Sequence, residues 1–271
     1  MPKVKVGDIN IYYEIHGEGE PLVIIPGATG GVDWEFRIIP VFSQEYKVVA
    51  FDNRGAGQSD APDVPYTTEM MADDLAGLLD AIGINSAHIW GSSMGGMIAQ
   101  QFALLYPKRV ISLILACTGF GGPHSIITTD PEIIAALQHP KELPLKESIM
   151  QTLRLIMSQE FIDKNPELIQ KLMAKMMEHP APPQGQMRQT QAIMSHETYE
   201  RLPEIKAPTI VIHGEVDRTL PVENARILAS RIPNAELVIM EKMGHGFFWE
   251  AEDESNRIVL DFLRRHSAAK A

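Results

Sequence analysis

Ile89-Trp90-Gly91-Ser92-Ser93-Met94-Gly95-Gly96 decides how this chain is read. The apolar run from Ala87 to Trp90 predicts a buried strand. Directly after Ser93 a helical pattern begins, with Met94, Met97, Ile98, Phe102 and Leu105 on one face and Pro107 as its stop. Between them, Gly91-x-Ser93-x-Gly95 has the spacing of a nucleophile elbow, a strand turning sharply into a helix. Such a turn leaves no room for Cβ atoms two residues to either side, and Gly96 lets the helix lie close to the sheet. The turn residue is strained, so its hydroxyl projects outward. Ser93 also opens a helix, where free backbone N–H groups favour negative charge, and the N–H of Met94 can help hold a developing oxyanion.

Outward from this stretch, short apolar runs alternate with amphipathic ones. Val4 to Val6 and Ile9 to Ile15 predict two antiparallel strands joined at Gly7-Asp8. Leu22 to Ile25, Lys47 to Phe51, Val110 to Ala116, Thr209 to His213 and Glu236 to Met240 complete eight expected strands. A helix is expected from Thr67, with Glu69, Asp73 and Asp74 suiting its dipole, Met71, Leu75, Leu78, Leu79 and Ile82 buried, and Gly83 as cap. Further helices are expected from Val222 to Ile232 and from Ala251 to His266. Strand–helix alternation implies an α/β fold: a mostly parallel eight-stranded sheet flanked by helices. From about Gly119 to Leu202 no strand is evident, only helical segments broken by prolines. The expected organisation is a core of residues 1–118 and 203–271 with a helical insertion, 119–202, lying over it.

In such a sheet ligands bind past the carboxyl ends of the strands. Ser93 follows one strand there, Asp217 lies in Gly214-Glu215-Val216-Asp217 after a second, and His245 in Met243-Gly244-His245 after a third. A serine hydroxyl needs an imidazole to take its proton, and the imidazole needs a carboxylate to fix its tautomer. The order Ser, Asp, His along the chain suits a triad on this architecture. Glu215 is the reserve acid, and Asp52 reads as a turn residue bonded to local backbone.

Composition bounds the function. The 271 residues are 45% hydrophobic and 22% charged, with a formal net charge of -11, and Arg264-Arg265 are the only adjacent arginines. That argues against nucleic acid and anionic membranes as partners. A single cysteine, Cys117, excludes an internal disulfide and fits a reducing compartment. Neither an apolar leader nor a bilayer-length stretch is evident, so the expected location is cytoplasmic. H-E-x-x-H, C-x-x-C, Walker and G-x-G-x-x-G patterns are missing, so no metal and no cofactor is expected.

Phe51-Asp52-Asn53-Arg54-Gly55 with Gly57 and Ser59, the elbow, His213-Gly214-Glu215-Val216-Asp217 with Pro221, and Gly244-His245 together resemble the α/β-hydrolase fold superfamily over nearly the whole chain. The resemblance implies Ser93 as nucleophile, Asp217 as acid and His245 as base, with an oxyanion hole of the Met94 N–H and a second donor. Members usually carry His-Gly in the loop after the early strand; this chain has Pro26-Gly27, which places Ala28 as that donor. The insertion resembles the helical cap of many members. Seven of fourteen methionines fall in it, and Met150 and Met157, with Trp34 and Phe247, are the expected pocket lining. A serine nucleophile sets aside dehalogenase and epoxide hydrolase chemistry. The implied activity is hydrolysis of a small apolar carboxylic ester through an acyl-enzyme. The alternatives are an enol-lactone or carbon–carbon bond hydrolase of aromatic degradation, or a ligand receptor without turnover; similar triads also show cofactor-free perhydrolase activity. The expected partner is a small-molecule ester or lactone, met by a monomer or dimer.

Overall fold

Runs such as Leu22–Ile25 and Leu113–Ala116 are wholly buried because helices cover both faces of the sheet they form. The computed structural model describes residues 2–138 and 143–267. Its strands are β1 Lys3–Val6, β2 Ile9–His16, β3 Glu20–Ile25, β4 Tyr46–Phe51, β5 Ala87–Ser92, β6 Val110–Ala116, β7 Thr209–Gly214 and β8 Glu236–Met240. They form one sheet in the order β1-β2-β4-β3-β5-β6-β7-β8. The β1–β2 hairpin and the β2–β4 pair are antiparallel, and all other pairs are parallel.

The helices are α1 Ile38–Phe42, α2 Thr68–Ala81, α3 Met94–Leu105, α4 Pro131–Gln138, α5 Leu145–Ile156, α6 Gln159–Lys164, α7 Pro166–Glu178, α8 Pro183–Ser195, α9 Glu223–Arg231, α10 Phe247–Glu250 and α11 Glu252–Arg265. Leu75 and Leu78 of α2, Ile98 and Phe102 of α3, and Leu228 of α9 pack on one face of the sheet. Phe42 of α1 and Phe262 and Leu263 of α11 pack on the other. Thr67 caps α2, its hydroxyl accepting from Met70 N at 3.1 Å.

Two local readings change on contact with the fold. Asp74 is buried in the second turn of α2, where it receives Arg54 Nη2 at 2.7 Å and Arg54 Nε on its other oxygen, so it serves an ion pair rather than the helix dipole. Leu105 is 41% exposed, and Tyr106 instead lies over Phe102 with ring centroids 5.3 Å apart.

Between β6 and β7 the described chain is helical, α4 to α8. Its two ends meet: Thr198 N donates to Phe120 O at 2.9 Å, and Gly121 bridges Glu197. The segment does not keep its apolar residues to itself. Ile149, Leu153, Met157, Met173 and Met176 share one cluster with Trp90, Cys117 and Phe262. α8 sits on the loop after β4 with backbone against backbone: a Cβ on Gly185 would lie 2.1 Å from Gly55 O. No helix among the described residues is long and apolar enough to cross a membrane.

Candidate active site

β5 is central, flanked by β3 and β6, and it delivers Ser93 to the C-terminal edge. Ser93 has φ 54° and ψ -119°, a conformation costing about 1–3 kcal/mol unless its surroundings enforce it. The surroundings do enforce it: Ser93 N donates to Ala116 O at 2.9 Å, and Thr118 Oγ1 donates to Ser93 O at 2.7 Å. The glycines are steric requirements. A Cβ on Gly91 would lie 2.2 Å from Gly95 O, one on Gly95 2.1 Å from Ile25 O, and one on Gly96 2.5 Å from the Thr118 side chain. The Met94 amide, at the start of α3, and the Ala28 amide, in the loop whose Gly27 packs beside Ser93, have no hydrogen-bond acceptor among the described residues. Both are free to donate.

Asp217 and His245 come together across 28 residues, His245 Nδ1 donating to Asp217 Oδ2 at 2.7 Å. The loops that carry them are stitched to each other. Glu215 N donates to Met240 O and Val216 N to Met243 O, both at 3.0 Å, and Gly214 has no room for a Cβ against Gly244. Asp217 Oδ1 accepts from the amides of Thr219 and Leu220 at 2.8 and 2.9 Å. His213 Nε2, donating to Leu220 O at 2.8 Å, lies 3.2 Å from Asp217 Oδ2. Burial alone would raise the Asp217 carboxyl; the charge of His245, with hydrogen bonds from His213 and His245, outweighs it and holds the group well below the usual carboxylate range. Asp217 is therefore ionised, an acceptor only, and fixes the proton of His245 on Nδ1. No hydrogen bond joins Ser93 Oγ to His245 among the described residues. The reserve acid Glu215 is engaged elsewhere, accepting from Lys242 N at 2.9 Å.

The insertion reaches this site twice. Gly246 N donates to Ile156 O at 2.7 Å, which sets the end of α5 and Met157 against the His245 loop. Gln189 of α8, fully buried, accepts from Thr29 N at 2.7 Å and donates to Arg54 O at 2.9 Å, clamping the loop that carries Ala28. Sequence reasoning missed Gln189, as well as His213 beside Asp217. Asp52 likewise reaches beyond local backbone: it accepts from Gln58 N but also from Val32 N, each at 2.7 Å, and burial pushes its carboxyl up to about 6.

Of the expected pocket residues, Met157 is 5% exposed beside Gly246, and Met150 is half-buried on the same cluster. Trp34 is half-buried, its ring 6.5 Å from that of Trp249. Phe247 is 1% exposed and meets Phe248 edge-on at 5.5 Å. Among the described residues, Asp33, Glu178 and His179 bring three possible metal donors within 4.8 Å of one another. Asp33 already holds His179 Nδ1 at 2.7 Å and Glu178 holds Lys175 Nζ at 2.9 Å, so the group is satisfied by its own hydrogen bonds.

Comparisons with known proteins agree with this architecture. A family model described as alpha/beta hydrolase fold matches residues 20–148, and one described as TAP-like protein matches 173–270. The 2-hydroxy-6-oxononadienedioate/2-hydroxy-6-oxononatrienedioate hydrolase of Burkholderia vietnamiensis (strain G4 / LMG 22486) is 34% identical over 95% of this chain and 92% of its own. The enol-lactonase of Burkholderia xenovorans LB400 superposes with a TM-score of 0.84 at 24% identity, covering 97% of this chain and all of its own (100%). Est816, solved as an N-acyl homoserine lactone degrading enzyme, gives a TM-score of 0.80 at 31% identity over 96% of this chain and 100% of its own. Elbow, sheet order and full-length likeness agree, and the chain belongs to the α/β-hydrolase fold family.

Proposed function

We propose that this protein is a serine-nucleophile hydrolase of a lactone or of a carbon–carbon bond next to a carbonyl, with Ser93, His245 and Asp217 as its triad and the Met94 and Ala28 amides as its oxyanion hole. A simple ester comes first on the sequence alone. The likeness to a 2-hydroxy-6-oxononadienedioate hydrolase along 95% of the chain reverses that order, and it is the observation that carries the reading. Est816, at 31% identity, supports the lactone half.

The Asp217–His245 pair supports the chemistry. Asp217 keeps the His245 proton on Nδ1, so Nε2 is the free base. The ring closes on Ser93 Oγ in the substrate complex, where apo contacts tighten. Oγ adds to the carbonyl carbon while its proton passes to Nε2, and the oxyanion settles on the two free amides. Collapse breaks the ring C–O bond of a lactone, or the C–C bond of a diketone. His245 returns the proton to the leaving alkoxide or enolate. Water, deprotonated by the same imidazole, then releases the acid from Ser93.

The test is a panel of purified-protein assays on an enol-lactone, an N-acylamino lactone, a ring-cleavage diketone and nitrophenyl acetate, with wild type and Ser93→Ala. The expected result is a kcat/KM for a lactone or diketone above that for nitrophenyl acetate, and a loss on the order of 10⁶-fold in Ser93→Ala. Equal rates in the two proteins would overturn the assignment.

A further inference from the structure

Glu35 ends the 3₁₀ turn Val32–Glu35 that follows the Ala28 loop. It is only 6% exposed, yet among the described residues no hydrogen bond or ion pair reaches its carboxyl. A 3₁₀ turn repeats every three residues, so Glu35 shares a face with Val32. Val32 packs in the cluster that holds Cys117 at the end of β6, Met157 beside the His245 loop, and Met173 and Met176 of α7. Asp33 points away from that face, to His179. The Cys117 thiol lies against the Ser93 backbone and is pushed up by burial, then by the charges of Asp217 and Glu35. That puts the Glu35 carboxyl at the C-terminal edge of the sheet, under the insertion. Burial has moved it up to about 7.

A buried carboxyl that holds nothing in the fold contributes nothing to it, and an ionised one is costly there. Its partner belongs to what enters the space. We propose that Glu35 is a specificity-determining residue of the substrate cavity: its carboxyl accepts a hydrogen bond from an uncharged donor on the substrate, a hydroxyl or amide N–H, and turns away substrates carrying a carboxylate at that place. This deepens the lactone or carbon–carbon bond reading and rests on it. It selects a neutral, donor-bearing substrate over a dicarboxylate.

The experiment uses three γ-lactones alike except for one substituent: hydrogen, acylamino or carboxylate. Affinity is read from tryptophan fluorescence on Ser93→Ala with Glu35 and with Glu35→Gln, and kcat/KM from the same pair with Ser93 intact, at about pH 8 where the carboxyl is ionised. The expected order with Glu35 is acylamino, hydrogen, carboxylate. Glu35→Gln narrows the acylamino-to-carboxylate ratio by about tenfold, the equivalent of one charged contact. Glu35→Met, which fills the site without polarity, stands in should the glutamine variant not fold, and it lowers acylamino affinity. An unchanged ratio, or no binding of any of the three, overturns the proposal. Discrimination in binding without Ser93-dependent turnover overturns the proposed function and leaves Glu35 in place.

Discussion

Replacing Glu35 by glutamine raises the stability of the protein, and the gain grows with pH. A glutamate ordinarily ionises near 4.5, whereas burial moves Glu35 to about 7. Below 4.5 the group is protonated in both the folded and the unfolded chain, and its ionisation costs the fold nothing. Between 4.5 and 7 the unfolded chain releases the proton and the folded one keeps it, so wild type loses stability as pH rises. Above 7 the loss is complete at about 3 kcal/mol, the free-energy equivalent of that displacement. The amide of the Glu35→Gln variant cannot ionise and escapes it. For 271 residues, a melting entropy of about 2.1 cal/mol/K per residue converts about 3 kcal/mol into about 5 °C. The assay is calorimetric melting of both proteins from about pH 4.5 to 8.5, where the difference between them cancels every other titration. The expected difference is small at the acid end and about 5 °C in favour of the variant at the alkaline end. A difference that stays flat across the range would refute the argument, because it would mean that Glu35 is paired or solvated in solution.

Three further outcomes are expected. Asp217→Asn keeps the Thr219 and Leu220 amides on Oδ1 but offers His245 a donor, so the imidazole takes the wrong tautomer; kcat falls about 10⁴-fold, and the melting temperature at neutral pH falls too, because the ionised carboxylate is stabilised in the fold. Gln189→Leu leaves Thr29 N and Arg54 O unpaired, costing about 1–3 kcal/mol in a urea melt. Loosening the Ala28 loop also lowers kcat with KM held, by no more than the 10²–10³-fold ceiling, roughly, of one oxyanion donor. Asp74→Asn strands the buried Arg54 guanidinium, which Asp8, 61% exposed, cannot compensate; the expected loss is about 3–5 kcal/mol by urea denaturation.

The elbow was legible because its constraints are local: the atom that forbids a side chain at Gly91 belongs to Gly95, four residues on. The strands were legible because burial on both faces writes unbroken apolar runs such as Leu22–Ile25. The three strand-end groups were found from chain order on a parallel sheet, and the structure pairs two of them, Asp217 and His245. Glu35, Gln189 and the long reach of Asp52 left no mark in the sequence. Gln189 meets Thr29 across 160 residues, and only the docking of α8 makes that pairing exist. Glu35 looks like any helix acid until the fold buries it. His213 had a visible position in His213-Gly214-Glu215-Val216-Asp217, and its bond to the Leu220 carbonyl, seven residues on, needed the turn geometry to be seen.

The seat of α8 on the loop after β4 makes two distant positions one heritable unit. Gly55 has φ +82° and faces Gly185 so closely that a methyl on Gly185 would prise helix from loop, while one on Gly55 would first strike the Tyr66 ring at 2.8 Å. Gln189 lies one helical turn beyond Gly185, on the same face, so any such lifting withdraws its amide from Thr29 and Arg54 together. Grafting an insertion from a relative therefore succeeds only when it brings a glycine at position 185 to meet the resident Gly55. A variant altered at Gly185 alone would present as a catalytic cripple with every reacting group intact.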